Sequence, residues 1–454
     1  MSKQLFGTDG IRGVAGEPPL DARTAHALGF ALGTWACRAQ KTCSEQVDAP
    51  EVLIGMDTRE SGPWLAEQVA GGLQRAGVRA RLAGVITTPG VAYLTRTGPF
   101  VAGVMISASH NPYYDNGLKV ISHSGYKLPD EVESQLENLM RAWLELGEQA
   151  SGRTLTIDPA LDHVYTNYLA GTVSDSFPLR LVIDCANGSA TEVAPHLFSR
   201  FNCEVDWIGV SPDGRNINLN CGSLHLDSLQ KRVLETRADL GIAFDGDADR
   251  ALFVAPSGRI VDGDAVLFLA GAALKRAGKL NGDVVVATIM SNLGLEKALR
   301  SQGIEMLRTP VGDKYVLEEM LRRGAVLGGE QSGHVIFSQY ATTGDGILTA
   351  LRMLEIVRDS ARSLDDLVDG IRTFPQKLVN VRVKHKRPLA ELESVQAQIS
   401  AAETEFAGSG RVVVRFSGTE PLARVMIEAG SDEQVEKWTG RIAEAIRAEL
   451  GAAN

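Results

Sequence analysis

The chain has 454 residues, 44% of them apolar and 22% charged, with a formal net charge of −10. At about 100–200 residues per domain this predicts three or four ordinary globular domains and excludes a disordered chain. An acidic chain has no general attraction for nucleic acid or an anionic membrane, so neither is expected as a partner, and an anionic ligand must be met by locally placed Arg and Lys.

The opening segment MSKQLFGTDGIRG has no apolar signal region. The longest apolar run, residues 266–274 with Gly271 inside it, is far short of the ~18–20 residues that span a bilayer, so a cytoplasmic protein is expected. A polar stretch at 40–50 reads as a surface loop. Residues 52–55 predict a strand, 63–76 a helix with Pro63 in its first turn, and 78–83 a second strand. Pro89 opens another helix, and 101–106 is a buried strand. The pattern restarts with strands at 179–184, 203–208 and 240–244. A third cycle has strands at 284–289, 305–307 and 325–327 and helices at 293–302 and 314–323. In each cycle a strand meets a polar turn, MDTRESG, DCANGS or TIMSN, which suggests one α/β domain type used repeatedly. The tail differs: strands at 377–384, 411–416 and 424–429 and helices at 388–406 and 432–450 predict a small α+β domain. The expected divisions are 1–158, 159–258, 259–373 and 374–454. The five cysteines, Cys37, Cys43, Cys185, Cys203 and Cys221, are odd in number and contain no Cys-x-x-Cys pair, so they read as reduced thiols.

Four clusters carry chemistry. The first, ISASHNP at 106–112, ends the strand 101–106. A hydroxyl there lies where open α/β sheets place ligands, although the same residues also suit an ordinary turn. No G-x-S-x-G elbow accompanies it. The second is Asp245-Gly246-Asp247-Ala248-Asp249-Arg250, after the strand 240–244. If extended geometry persists, the three carboxylates face one way and call for a hard cation; a solvated acidic turn is the alternative. An EF-hand is excluded, because its sixth position would be Arg250 and its twelfth Pro256. The third, GGEQSGH at 328–334, offers Glu330, Ser332 and His334 for sugar hydroxyls, or is a plain hairpin connection. The fourth, RFSGTEP at 415–421 with Arg424 beyond, has the composition of a phosphate cradle without a P-loop. Acceptor hydroxyl, cation, polyol loop and phosphate clamp together make the parts list of phosphoryl transfer on a phosphosugar.

With FGTDGIRG at 6–13 and ISASHNPYYDNGLK at 106–119, these motifs occur in the order and spacing of the α-D-phosphohexomutase superfamily, which the chain resembles along nearly its whole length. Gln331, the SGTEP form of the phosphate loop and PDGRNINLNCGS at 212–223 resemble the bacterial branch acting on hexosamine phosphates; phosphomannomutase and phosphoglucomutase relatives typically have Met at the Gln331 position. The resemblance implies an α/β protein: three similar mixed α/β-sandwich domains and a smaller C-terminal α+β domain around a central cleft. It implies that Ser109 is phosphorylated and that Asp245, Asp247 and Asp249, with a phosphate oxygen on Ser109, hold one Mg²⁺. Glu330 and Ser332 would bind sugar hydroxyls. Arg415, Ser417, Gly418, Thr419 and Arg424 would hold the substrate's other phosphate.

The activity so implied interconverts glucosamine 6-phosphate and glucosamine 1-phosphate, feeding UDP-N-acetylglucosamine synthesis. A hexosamine 1,6-bisphosphate is intermediate and activator. Arg250 and Arg12 would sit at the transfer site, and Lys119, His110 and His334 are candidates for the acid or base, Lys119 only with a lowered pKa or a phosphate partner. The expected partner is a small phosphosugar; a homodimer is one candidate assembly. Three rivals stand beside this reading: a sister mutase for glucose or mannose phosphates, a phosphatase with Asp245 as nucleophile, and a silent phosphosugar-binding protein.

Overall fold

The computed structural model describes residues 5–7, 9–40, 49–173, 176–417 and 421–451. Most of the predicted 40–50 loop lies outside them. Among the described residues the strands form four sheets.

The first sheet contains β1 (Ile11–Val14), β2 (Glu51–Met56), β3 (Arg79–Val85), β4 (Phe100–Ile106) and β5 (Asp115–Ser122) in the order β1-β5-β4-β2-β3. The second contains β6 (Arg180–Asp184), β7 (Glu204–Ile208), β8 (Leu240–Phe244), β9 (Ala251–Val254) and β10 (Ile260–Val261) in the order β10-β9-β8-β6-β7. The third has β11 (Val284–Thr288), β12 (Glu305–Thr309), β13 (Leu327–Gly329) and β14 (Val335–Phe337) in the order β12-β11-β13-β14.

One pattern underlies all three. In each, a first strand pairs in parallel with the second and third, and the third pairs antiparallel with a fourth. The repeat suspected from the cycles is therefore a repeat of topology. Helices cover both faces, which is why β2 and β8 are apolar without alternation. On the first sheet the helices Ala22–Gln40 and Gly62–Arg75 touch backbone to backbone: a Cβ at Gly29 would stand 2.0 Å from the Val69 carbonyl oxygen. The fourth sheet, β15 (Gln376–Arg382), β16 (Arg411–Phe416) and β17 (Leu422–Glu428), is antiparallel throughout in the order β15-β17-β16. The helices Glu393–Phe406 and Asp432–Leu450 share its core.

Several boundaries differ from the sequence reading by a residue or two, and three by what they place in the chain. The helix expected from 388 begins at Glu393, because Leu392 is outside the helical region (φ −94°, ψ 85°) and only a 3₁₀ turn, Leu389–Glu391, precedes it. The strand expected at 325–327 is Leu327–Gly329, shifted into the glycine pair. The strand expected from 424 begins at Leu422. The apolar run 266–274 is the core of the helix Gly263–Arg276 in the third unit, and Asp262 caps it.

The third and fourth units are joined by polar contacts. Asn292 donates through Nδ2 to the Phe374 carbonyl (3.0 Å) and accepts from the Phe374 N–H (2.9 Å), while its own N–H donates to Asp264 Oδ2 (2.7 Å). Arg411 from the fourth unit donates to the Ser291 carbonyl at 3.0 Å, and the buried Glu428 accepts from the Leu293 N–H at 3.3 Å. Burial, and next the nearby Asp262, push the pKa of Asp264 up from 3.8 to about 7. A carboxyl whose pKa is raised on folding stabilises the fold below its unfolded pKa, and that contribution is lost as pH rises through the folded value. Asp264→Asn should therefore gain thermal stability relative to the parent as pH rises from about 4 to 8, because only the parent must ionise a buried carboxyl there. Melting curves at both ends of this range check it; parallel pH profiles for the two proteins would contradict it.

Candidate active site

Ser109 follows β4 in the loop that leads to β5, and its backbone is left-handed (φ 51°). Such a conformation costs a non-glycine residue of order 1–3 kcal/mol and needs its surroundings to hold it. They do. The Ser109 N–H donates to Ser107 Oγ (2.9 Å), and its carbonyl accepts from Arg59 Nη2 (3.1 Å) and Asn218 Nδ2 (2.9 Å). Arg59 and Asn218 also donate to the Asn111 carbonyl (2.6 and 3.2 Å). Arg59 is itself paired with Asp57, and both side chains are fully buried. Burial raises the Asp57 pKa, and Arg59 works against that rise. So loops from the first and second units fix the direction of one serine hydroxyl.

That hydroxyl donates to Asp245 Oδ2 at 2.5 Å. Asp245, Asp247 and Asp249 place carboxylate oxygens within 4.8 Å of one another. They do so otherwise than expected: β8 ends at Phe244, and the extended geometry does not persist. A turn closed by the Ala248 N–H on the Asp245 carbonyl (3.1 Å), with Ala248 left-handed at φ 55°, curls the three carboxylates together. Gly246 is required within it, because a Cβ there would stand 2.4 Å from the Ser109 carbonyl oxygen.

The donor set fits a hard divalent cation. Asp247 Oδ1 and Asp249 Oδ1 are buried and accept no hydrogen bond among the described residues. Burial, then the charges of Asp249 and Asp247, push Asp245 well above the usual carboxylate range. A cation with all-oxygen ligands relieves both features. The remaining oxygen of Asp247, Oδ2, accepts from Lys119 Nζ (2.7 Å) and Thr88 Oγ1 (2.5 Å).

The candidate acid–base groups differ in state. Burial disfavours the charge on Lys119, but Asp247 and Asp9 outweigh it and hold the ammonium above its ordinary pKa, contrary to what a base needs. Burial, then Arg250 and Arg12, lower His110 to about 4; its Nδ1 lies 3.3 Å from Ser109 Oγ. His334 is buried, and Asp249 and Asp313 raise its pKa against the effect of burial. Its Nδ1 is 3.5 Å from Asp249 Oδ2, and its Nε2 accepts from the Gly344 N–H at 3.1 Å.

A chain of charges crosses between units. Arg12 pairs with Asp9, Asp9 is 2.7 Å from Lys127 Nζ and 3.4 Å from Lys119 Nζ, and Lys127 is 2.6 Å from Asp313. Arg250 Nε lies 3.8 Å from Asp249. In the β13–β14 connection, Glu330 Oε1 accepts from the Gly312 N–H (3.0 Å) and Ser332 Oγ donates to Glu330 Oε2 (3.4 Å). Ser109, His110, Lys119, Arg12, Arg250, His334 and the three aspartates thus converge, with Glu330 and Ser332 beside them.

Arg415, Ser417 and Arg424 belong to the fourth sheet. Arg415 and Arg424 face each other across β16 and β17, and burial together with Arg424 lowers the pKa of Arg415. Two guanidinium groups in register repel each other, and a shared anion offsets that repulsion. Lys386 donates to the Ser417 carbonyl. Gly418 and Thr419 lie outside the described residues. The sequence reading missed Asp57, Arg59, Asn218, Asp9, Lys127 and Asp313. The polar turn MDTRESG after a strand is the available signal for the first two, FGTDGIRG for Asp9 and PDGRNINLNCGS for Asn218.

Models of the phosphoglucomutase/phosphomannomutase family match the chain in succession: alpha/beta/alpha domain I at 3–146, domain II at 161–258, domain III at 262–374 and the C-terminal domain at 378–445. A phosphoglucosamine mutase of Solibacter usitatus is 57% identical, covering 99% of this chain and 100% of the relative. One of Koribacter versatilis is 51% identical over 99% and 98%. A solved phosphoglucomutase/phosphomannomutase family protein from Burkholderia thailandensis superposes with a TM-score of 0.79 at 26% identity, covering 99% and 98%.

The chain belongs to the phosphoglucomutase/phosphomannomutase family, whose members are phosphohexomutases. Within the family it groups with the phosphoglucosamine mutases, which are isomerases, ahead of the glucose- and mannose-directed branches. Among the described residues no helix is long and apolar enough to cross a membrane.

Removing one member of a buried ion pair costs about 3–5 kcal/mol, because the other is left charged and unpaired. Arg59→Met should lose stability on that scale, and adding Asp57→Asn should restore much of it. Urea unfolding of the two single variants and the double variant reads this out; additive losses would contradict the pairing.

Proposed function

We propose that the chain moves a phosphoryl group between Ser109 and the two ends of glucosamine phosphate, with Mg²⁺ held by Asp245, Asp247 and Asp249. The observation that carries the reading is the Ser109 hydroxyl fixed 2.5 Å from Asp245 at the mouth of a buried three-carboxylate turn. In the forward direction the P–O bond at phospho-Ser109 breaks and a new P–O bond forms to the free hydroxyl of glucosamine 6-phosphate. That hydroxyl loses its proton to a nearby base, and the serine oxygen regains one. The 1,6-bisphosphate turns over in the cleft and returns its 6-phosphate to Ser109, leaving glucosamine 1-phosphate. Mg²⁺, when bound, supplies charge neutralisation at the phosphoryl oxygens.

The chain's residues supply positioning and charge. Lys119, held as an ammonium, and Arg250 offset negative charge at the serine. His110, neutral and with Nδ1 3.3 Å from Ser109 Oγ, takes the serine's proton when Ser109 attacks the bisphosphate. Glu330 and Ser332 take sugar hydroxyls. Arg415, Ser417, Gly418, Thr419 and Arg424 take the phosphate that is not transferred. One clamp serves both half-reactions because the bisphosphate presents a phosphate at either end.

Ser109→Ala should abolish both turnover and acid-stable protein phosphorylation, followed by phosphorus NMR and by mass spectrometry after exposure to a hexose 1,6-bisphosphate. Near-normal interconversion by this variant would sink the scheme. Release of inorganic phosphate with label on Asp245 would establish the phosphatase instead. Asp247→Asn should lose about 10²–10³ in rate, the scale of removing one preorganised electrostatic group.

A further inference from the structure

The loop bearing Glu330 and Ser332 rests on the first turn of the helix Gly263–Arg276. The Gly263 N–H donates to the Gln331 carbonyl at 3.0 Å, and a Cβ at Gly263 would stand 2.0 Å from the Glu330 carbonyl oxygen. On its other side the loop is tied to the strand after the carboxylate turn, where the Ala251 N–H donates to the Gly333 carbonyl at 3.1 Å. The backbone of the loop is thus gripped from two directions.

The side chain of Gln331 is held too, and by a residue outside every motif. Asp262 caps the helix with Oδ1, which accepts from the Ala265 N–H at 3.2 Å. Its second oxygen, Oδ2, accepts from Gln331 Nε2 at 3.1 Å. One carboxylate therefore does two separable jobs: one oxygen ends a helix, and the other anchors the residue between Glu330 and Ser332. A hydrogen bond to a charged partner in a half-buried place is among the stronger neutral–ionic contacts.

We propose that Asp262 is a positioning residue for the sugar: through Gln331 it sets where Glu330 and Ser332 meet the substrate's hydroxyls. The inference rests on the reading that those two residues bind the sugar. It assigns to Gln331 a role carried by its amide as a strut to Asp262.

The two jobs can be separated by substitution. Asp262→Ser keeps a good helix cap but is too short to reach Gln331. Asp262→Asn keeps the cap and can pair with Gln331 once that amide turns over. Gln331→Met removes the strut from the other side and leaves the cap intact. Steady-state kinetics with glucosamine 6-phosphate should show KM raised about 10–150-fold in Asp262→Ser and in Gln331→Met, with kcat changed less, the scale of one lost hydrogen bond to a charged group. Asp262→Asn should stay close to the parent, and the Asp262→Ser/Gln331→Met double variant should be no worse than either single one.

Additive losses in the double variant, or a parent-like KM in Asp262→Ser beside an impaired Gln331→Met, would overturn the proposal. Glu330→Gln separates the two levels: if it leaves KM unchanged, the sugar-binding reading itself fails and the strut falls with it. If it raises KM while Asp262→Ser and Gln331→Met do not, only the strut is wrong.

Discussion

Three carboxylates within 4.8 Å of one another, in a turn that is largely buried, are the constraint around which the site is arranged. Such a group repels itself and pays for desolvation, so positive charge must be brought to it. Lys119 is the nearest fixed charge, on β5, and Arg250 comes directly after the turn. Lys119 cannot satisfy the whole cluster, since its ammonium meets Asp247 Oδ2 and leaves Oδ1 bare. The three carboxylates could hold a metal ion, and the serine hydroxyl stands beside them. The arrangement makes phosphoryl transfer a matter of position and charge more than of covalent chemistry.

The threefold use of one topology explains how the parts meet. In each of the first three units the turn between the third and fourth strands carries chemistry: Ser109 between β4 and β5, the aspartates between β8 and β9, and Glu330 to His334 between β13 and β14. Three equivalent loops, bearing Ser109, the three aspartates, and Glu330 to His334, are turned towards a common centre. The loops after the first strand of each unit do the bracing. Asp57 and Arg59 hold the serine loop, the Ala186 carbonyl accepts from the Asn218 N–H, and Asn292 ties the third unit to the linker at Phe374. The fourth sheet carries the opposed arginines on a separate body, joined to the third unit through Ser291, Asn292 and Leu293.

Much of this was legible in the sequence because it is local. Apolar runs such as 240–244 and 411–416 became strands with those same limits, and the serine, aspartate and sugar loops announce themselves by the polar residues at strand ends. What could not be read was long-range or conformational. The partnership of Arg59 with the carbonyls of Ser109 and Asn111 spans some fifty residues, and nothing in TRESG points to it. The chain Asp9–Lys127–Asp313 joins two units; Asp9 lies in a motif, but nothing in the sequence pairs it with Lys127 and Asp313. The aspartate turn was legible as a cation site but not in its shape, because period-two reasoning assumes an extended backbone and Ala248 is left-handed. Asp262 was invisible because its partner, Gln331, stood out in the sequence for a different reason.

The most direct test of the central claim is to locate a cation by anomalous diffraction from crystals grown with Mn²⁺ in place of Mg²⁺. A single strong peak is expected among Asp245, Asp247 and Asp249 on the side facing Ser109 Oγ, lost in Asp247→Asn. A protein active with Mn²⁺ whose crystals show no peak at those residues, or whose only peak lies elsewhere, would contradict it.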